Sequence, residues 1–499
     1  MTSATASITT PSLDDVRALA ASGEGNIVPI YREVRADLET PVSAYLKVAR
    51  GPYSFLLESV EGGEQVGRYS FIGTEPYRVE ALAHEDGDPL LVIEEELGRY
   101  QSIPVPGLPL FHGGAVGYLG YESVAHFERL PTVEHDDLGL PESWLMFSDT
   151  LLVFDHVRHD IKVVSHVRLD GDAGDLEAEY ARAVERIESL VHRLEAPLAA
   201  LPYVVLDGPV GRSVESNWPR EDYLLAVERT KQYIVEGDVI QAVISQRFGR
   251  ETGAHPFEVY RSLRAINPSP YMYYLQYDDL TLVGASPELL VKVENGKVDV
   301  HPIAGTRPRT GDADEDARLA ADLETDPKEI AEHVMLLDLG RNDVGRVAAP
   351  GSVDVTQRLD LEFYSHVMHL VSHVQGRLRD GMSAYDALRS AFPAGTVSGA
   401  PKIRAMEIIT ELEPTRRGPY AGAVGFFDLS GNVETCITIR TLIMRDGHAY
   451  VQAGGGIVYD SDPVREFEET QHKSRALLAA IDDAEERGVR DSVPGSLGY

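Results

Sequence analysis

Between residues 26 and about 170 the chain carries short segments in which apolar and polar positions alternate, among them PYSFLLESV, GRYSFIG, YRVEAL and KVVSHVRL, divided by Gly, Pro and acidic turns. A period of two sends successive side chains to opposite faces, so this region is predicted to be mostly β. A helical period follows over 174–194, and the Pro- and Gly-containing stretch 197–219 then breaks the pattern. Beyond it, helical patterns at 221–236, 328–338, 402–412 and 464–480 alternate with strand patterns at 281–285, 421–428, 434–443 and 448–453. The turn Ser430-Gly431-Asn432 makes two of these strands hairpin neighbours, which argues against a Rossmann domain. The fold class expected is α+β with antiparallel sheets flanked by helices. The organisation expected is a mobile segment 1–25, a mostly β domain with a helix over 26–196, a linker 197–219, a second domain 220–482 and a charged, frayed tail 483–499. GGAVGYLGYE from residue 113 echoes GAVGFFDLSG from residue 422, a match short enough to arise by chance in a Gly-rich chain.

With 499 residues, the chain is long enough for roughly two to four domains. Its single Cys excludes a disulfide framework and a thiolate-built metal site, and points to a reducing compartment. The start, MTSATASITTPSLDD, has no basic region leading into an apolar core, and no apolar run reaches the roughly 18 residues that span a bilayer. The expectation is a soluble, cytoplasmic protein with no membrane partner. With 46 basic against 80 acidic residues, a formal charge of -34 and no basic patch, nucleic acid is excluded as a partner as well. An anionic substrate would then need a pocket that makes its own positive field, from Arg, Lys, backbone N–H groups or a bound cation.

In KEIAEHVMLLDLGRND, residues 328–343, Glu329 and Glu332 lie three apart on a helical face that turns apolar at once. A second pair, Glu466 and Glu469, opens the helix that Asp462 caps and Pro463 starts. Two helices presenting two carboxylates each can converge on a hard cation such as Mg2+. The plainer alternative is that acids favour helix N-termini, and 80 acids in 499 positions often fall three apart. The loops AGTRPRTG (304–311), AFPAGTVSGAPK (391–402) and QAGGGIVYD (452–460) join small residues to Thr, basic groups or close backbone approach, and none is a P-loop. Arg440 interrupts a buried-looking strand and needs a carboxylate partner, which is Glu434, another side chain or a substrate. His366, His369 and His373 cluster in HVMHLVSHVQG, and spacing does not choose among them. Gln241 in GDVIQAVISQRF and Glu288 in GASPELLV stay open on the same terms.

Taken together, GDVIQAVISQRF, NPSPYMYYL, GASPELL, PIAGTRPRTG, EHVMLLDLGRNDVGRV, FPAGTVSGAPKIRAMEII, YAGAVGF and QAGGGIVYDSDP resemble the chorismate-utilising enzymes, and among them the component I, or synthase subunit, of anthranilate synthases. The likeness covers roughly 30–480 and implies an α/β sandwich, with 26–196 regulatory and 220–482 catalytic. It implies Mg2+ on Glu332 and Glu469 with Glu329 and Glu466 in support, and chorismate contacts at Gly305, Thr306, Tyr420, Arg440 and Gly454, Gly455 and Gly456. The implied chemistry is amination at ring C2 with loss of the C4 hydroxyl, then loss of pyruvate, with Glu288 as acid and His369 as a base. Relatives that add water carry a Lys where this chain has Gln241, and C4-aminating relatives often carry one at Ala304, so C2 amination is favoured and aminodeoxychorismate synthase is the alternative. LLESVEGGEQVGRYSFIG, centred on Glu58 and Ser59, together with Pro270, Tyr271 and Met272 of NPSPYM, resembles the family's tryptophan-binding segments and implies feedback inhibition. Cys436, in a predicted strand, does not look like a glutaminase nucleophile, so the resemblance implies a separate glutamine amidotransferase partner in a heterotetramer.

Overall fold

The computed structural model describes residues 9–59, 67–169, 173–198, 213–364 and 367–491. Alternating segments build two antiparallel sheets, of 12 and 10 strands. The larger runs Ile27–Arg35, Asp160–Arg168, Thr150–Asp155, Tyr69–Thr74, Ser54–Glu58, Tyr271–Tyr277, Leu280–Ser286, Thr441–Arg445, His448–Ile457, Gln241–Glu251, Gly399–Ala400, and Glu215–Ser216 pairs with Gln241–Glu251. The smaller runs Ile303–Pro308, Val367–Arg377, Lys297–Val300, Leu289–Glu294, Val433–Ile437, Ala423–Asp428, Gly114–Leu119, Ser143–Ser148, Arg78–Leu82, with Asp354–Phe363 also on Val367–Arg377. The facing sides meet in one apolar layer that includes Tyr118, Trp144, Tyr273, Tyr277, Leu282 and Val424. Outside the larger sheet the helices Pro41–Val48, Ala173–Glu195, Pro256–Ile266 and Pro463–Asp491 cover Val28, Leu56 and Tyr274. Outside the smaller one, Pro89–Leu97, Pro327–Val347 and Ala384–Ala391 cover Ala115, Val291 and Val374. The result is helix, sheet, sheet, helix, the expected α+β sandwich.

The order of strands is repeated. Ile27–Arg35, a helix, Ser54–Glu58 and Tyr69–Thr74 in the large sheet, Arg78–Leu82 in the small one, then Gly114–Leu119 and Ser143–Ser148 in the small sheet, Thr150–Asp155 and Asp160–Arg168 in the large one, and a long helix, make the first copy. The second copy runs the same way from Gln241–Glu251 through the helix starting at Pro463, with the same pairings. The copies join where Ser54–Glu58 pairs with Tyr271–Tyr277 and where Gly114–Leu119 pairs with Ala423–Asp428, so both sheets run across the stretch 197–219. The echoed motif sits on this seam, with Val116 opposite Phe426, Gly117 opposite Gly425 and Tyr118 opposite Val424. A Cβ at Gly117 would meet the Trp144 carbonyl oxygen at 2.1 Å, and one at Gly425 the Glu434 carbonyl oxygen at 2.1 Å. The two glycines thus answer the same local constraint. The copies differ in one connection: 83–113 in the first, but 295–422 in the second, which brings extra strands and the helices Ala313–Thr325, Pro327–Val347 and Lys402–Leu412.

Four predicted elements change. The strand expected over 434–443 is two strands in different sheets, Val433–Ile437 and Thr441–Arg445, because the chain crosses between sheets with Arg440 at a φ of 52°. Gly454, Gly455 and Gly456 lie within the strand His448–Ile457 rather than a turn, held opposite Ser245, Ile244 and Val243. The last helix continues to Asp491, nine residues into the stretch expected to fray, and Arg250 of the neighbouring strand holds it through Asp482 and Glu485 at 2.7 and 2.9 Å. At the other end, Leu13–Ser22 is a helix with a Ser12–Asp15 capping box. Residues 1–8, the predicted linker between 199 and 212, and 492–499 lie outside the described residues.

Candidate active site

The site forms where the second copy crosses between sheets. One crossing links Leu280–Ser286 to Leu289–Glu294 and carries Glu288; the other links Val433–Ile437 to Thr441–Arg445 and carries Arg440. They are tied together by the Ala285 N–H donating to the Arg440 carbonyl at 3.0 Å and the Ile437 N–H donating to the Glu288 carbonyl at 3.0 Å. Burial pushes the Glu288 carboxyl up to about 8, although the Thr396 hydroxyl and Ile303 N–H favour the ionised form. Arg440 is half-buried, and burial alone lowers its pKa, with no opposing charge to raise it. Its guanidinium has no hydrogen-bond or ion-pair partner among the described residues. The Glu434 carboxylate, one candidate partner, is 3.5 Å from Lys292 instead. A half-buried guanidinium with no acceptor among the described residues, in a crossing otherwise lined by buried strand residues, is open to an anion that arrives from solvent.

Four glycines allow other side chains to close on the backbone. A Cβ on Gly305 would lie 3.2 Å from Glu329 Oε2, on Gly454 2.8 Å from Tyr420 Oη, on Gly455 2.6 Å from Glu466 Oε2 and on Gly456 2.4 Å from Gln241 Nε2. Gly305 is also in the left-handed region, with a φ of 73°, at a break in register between Ala304 and Thr306. Its carbonyl is 3.1 Å from His369 Nδ1, and the Thr306 hydroxyl is 3.0 Å from the same nitrogen. An N–H at Nδ1 donated to that carbonyl leaves Nε2 with the lone pair, and burial keeps the imidazole pKa below its ordinary value. His373 stacks on His301 at 3.5 Å and is occupied elsewhere, while His366 lies outside the described residues. Gln241 is buried and its amide oxygen has no protein partner.

The helices Pro327–Val347 and Pro463–Asp491 bring Glu329, Glu332, Glu466 and Glu469 to one region. Burial raises the Glu332 pKa first, then Glu329 on its own helix and Glu469 on the other. Burial likewise raises that of Glu466, with Glu469 adding to it. Lys473 lies 2.8 Å from Glu469, and Arg307 lies 3.1 Å from Glu329. The four do not form a closed coordination sphere: among the described residues, three ligand atoms within 4.8 Å of one another occur at His84, His126 and Glu142, a potential metal-binding triad. The donor chemistry still fits Mg2+, since all four groups offer oxygen and mutual repulsion raises two of them, which a hard dication would relieve.

A cavity of about 660 Å3 between the sheets is bordered by Glu58, Ser59, Pro270, Tyr271 and Met272 together. The Glu58 carboxylate accepts from Arg264 Nε at 3.1 Å and from the Tyr260 hydroxyl on the helix Pro256–Ile266. Met272 packs in the core on that helix side. Residues 60–66 of the predicted segment lie outside the described residues. Glu434 and Cys436 also border the cavity, on the strand that leads into Arg440. Cys436 is buried, and burial pushes its thiol up to about 12, so it is no nucleophile.

A model of chorismate binding enzymes matches residues 53–479. The chain belongs to the chorismate-binding enzyme family. An anthranilate synthase component 1 from Acetivibrio thermocellus is 48% identical over 495 residues, covering 95% of this chain and 99% of that one. That of Pseudomonas aeruginosa is 49% identical over 488 residues, covering 94% and 98%. The crystal structure of anthranilate synthase component I from Streptococcus pneumoniae superposes with a TM-score of 0.74 at 36% identity, covering 89% of this chain and 99% of that one. A menaquinone-specific isochorismate synthase from Escherichia coli shares the fold, with a TM-score of 0.71 at 16% identity.

In this chorismate-binding enzyme, several residues around the site carried no sequence signal of their own. Lys473, one turn beyond Glu469, donates to the Gly454 carbonyl at 2.9 Å, and its i+4 spacing from Glu469 was the only clue. Arg417 is buried against Glu413 at 2.6 Å and holds the Val397 and Val243 carbonyls at 2.8 Å, three residues before Tyr420. Arg307, one of the bases in AGTRPRTG, is spent on Asp322, Asp326 and Glu329. Lys402, the first residue of the helix Lys402–Leu412, is bound to Asp343 at 3.0 Å. Among the described residues no helix is long and apolar enough to cross a membrane.

Proposed function

We propose that this chain is the synthase component of an anthranilate synthase, converting chorismate and ammonia to anthranilate and pyruvate, the first step of tryptophan biosynthesis. The observation that carries the reading is Arg440, a guanidinium with no acceptor among the described residues, on the crossing tied by backbone bonds to the one that holds Glu288. Chorismate has two carboxylates. The enolpyruvyl carboxylate takes the planar fork of Arg440 and the Tyr420 hydroxyl. The ring carboxylate lies toward the glutamates, where Glu332 and Glu469 would hold Mg2+ and Glu329 and Glu466 would support it. When bound, the ion supplies the positive charge that this carboxylate requires beside four acids.

Ammonia adds at ring C2 while the C4 hydroxyl takes the Glu288 proton and leaves as water. The ammonium formed at C2 gives up one proton, replacing the one that Glu288 donated. His369 then accepts the C2 proton at Nε2 as the enolpyruvyl ether bond breaks, and the departing enolpyruvate takes up a proton at its methylene carbon to become pyruvate, leaving an aromatic amine. Gln241 cannot act as the base that water addition needs, and its unpaired amide oxygen is an acceptor for the incoming ammonia. Ala304 offers no amine for covalent attack. The partner is a glutamine amidotransferase subunit in a cytoplasmic heterotetramer, and free ammonia suffices without it. Residues 26–196 are the regulatory part and 220–482 the catalytic part. Tryptophan binds in the cavity at Ser59, Pro270 and Tyr271, with Glu58 and Met272 at its border, and acts through the strand that ends near Arg440.

Arg440→Ala tests the reading. Loss of a charge-assisted pair worth about 1.5–3 kcal/mol should raise KM for chorismate about 10- to 100-fold. The melting temperature should hold, since no protein group depends on the guanidinium. An unchanged KM would remove the observation on which the reading rests.

A further inference from the structure

The first copy contains a constellation that the chemistry above leaves unused. His84 lies two residues after the strand Arg78–Leu82, His126 ends the short turn Tyr121–His126, and Glu142 immediately precedes Ser143–Ser148, which pairs with Arg78–Leu82. Hydrogen bonds hold the backbone beside His84 and at Glu142. The Ala83 N–H donates to the Asp86 side chain at 2.8 Å, and the Gly120 N–H donates to the Glu142 carbonyl at 2.7 Å. His84 Nδ1 is 2.8 Å from Glu142 Oε2, and His126 Nε2 is 2.9 Å from Glu142 Oε1. The imidazoles stack at 4.7 Å, so both aim a ring nitrogen at one carboxylate from the same side. Side-chain exposure is 7% for Glu142, 12% for His126 and 42% for His84, which leaves one side of the group open to water.

We propose that His84, His126 and Glu142 form a second metal site, for a borderline transition-metal dication such as Zn2+, separate from the glutamate site. Two imidazole nitrogens and one carboxylate select Zn2+, Co2+, Ni2+ or Cu2+ and discriminate against Mg2+, which demands oxygen. Ligand atoms already within 4.8 Å of one another need only small rotamer shifts to reach coordination distances of about 2.0–2.2 Å. Water completes the shell on the exposed side of His84. A ring nitrogen that ligates the ion carries no proton, so each imidazole presents its lone pair where it now faces Glu142 and keeps its N–H on the other ring nitrogen.

The site has a route to substrate binding. The turn Tyr121–His126 supports the segment before Tyr420: the Tyr121 N–H donates to the Gly418 carbonyl at 2.8 Å, and the Glu122 carboxylate accepts from the Arg417 and Gly418 N–H groups at 2.8 and 3.0 Å. A metal that fixes His126 therefore stiffens the support of Tyr420.

The test uses the full chain without a histidine tag, stripped of metal and held in excess Mg2+ so that the glutamate site is filled. Equilibrium dialysis against Zn2+ should give one ion per chain. Titration with Co2+ should give visible bands of an imidazole-ligated ion. His84→Asn, at the most exposed of the three positions, should weaken Zn2+ binding at least 100-fold while keeping the circular dichroism of the parent, and Zn2+ should raise the melting temperature of the parent alone. Glu142→Gln serves as a second variant and should behave alike. The proposal is overturned if the parent binds no Zn2+ under these conditions, the triad then being an imidazole–carboxylate cluster only, or if His84→Asn and Glu142→Gln bind it as the parent does.

Discussion

Burial pushes Glu288 up to about 8, so its carboxyl keeps its proton at neutral pH while exposed glutamates have lost theirs. At constant free ammonia, kcat/KM should be level through neutrality and fall about tenfold per pH unit above about 8, as the acid form is titrated away. Glu288→Gln should lose about 10²- to 10⁴-fold in rate and lose that alkaline limb. The sign for stability follows from the same shift. The folded chain holds a proton that the unfolded chain releases above its ordinary value of 4.5, so burying Glu288 costs stability increasingly from there to about pH 8. Glu288→Gln should therefore gain in melting temperature relative to the parent as pH rises through that window, and a pH-independent difference would contradict the burial argument. Residue types were legible at this scale, but their circumstances were not. Arg440 stood out as a guanidinium in apolar company, yet nothing in CITIRTL says that the strand ends there and changes sheets. His369 was indistinguishable from its neighbours until a bulge at Gly305 turned a carbonyl onto its Nδ1.

Periodicity located the elements, because alternation and the 3.6-residue repeat are local. It did not say which strands would pair, because pairing depends on distant partners. The faint echo between 113 and 422 was the one trace of the repeated topology, and it survived because Gly117 and Gly425 meet the same crowded carbonyl geometry. Gly425→Ala should force the strand pair apart and lower the melting temperature by several degrees, at a cost of about 1–3 kcal/mol. Gly117→Ala should do likewise, and tolerance at both positions would show that the strand pairs Gly114–Leu119 with Ser143–Ser148 and Ala423–Asp428 with Val433–Ile437 are looser than the 2.1 Å approaches require. The glycines of His448–Ile457 instead lie against Tyr420, Glu466 and Gln241 of the proposed site. Gly455→Ala puts a Cβ against Glu466 Oε2, so the Mg2+ needed for half-maximal rate should rise about 10-fold, with a smaller effect on melting. An unchanged Mg2+ requirement would remove Glu466 from the metal's support.

At the scale of the molecule, two copies share both sheets, and the long insert of the second supplies Gly305, Thr306, Glu329, Glu332 and His369. The insert explains why the assigned chemistry sits in one half of a repeated fold. The cavity at the joint of the copies is placed to sense their arrangement. Ser59→Leu, which fills part of it, should raise the tryptophan concentration for half-inhibition by about 10-fold or more while leaving uninhibited turnover as it was. Inhibition unchanged by that substitution would move the effector elsewhere. The central claim is C2 amination of chorismate, and it is tested most directly by giving the purified chain chorismate, Mg2+ and ammonium at mildly alkaline pH and identifying the products by mass and fluorescence. Anthranilate and pyruvate in equal amounts are expected, with no turnover of glutamine by the chain alone. Accumulation of aminodeoxychorismate, aminated at C4 with no pyruvate released, would contradict the account and the weight it places on Ala304.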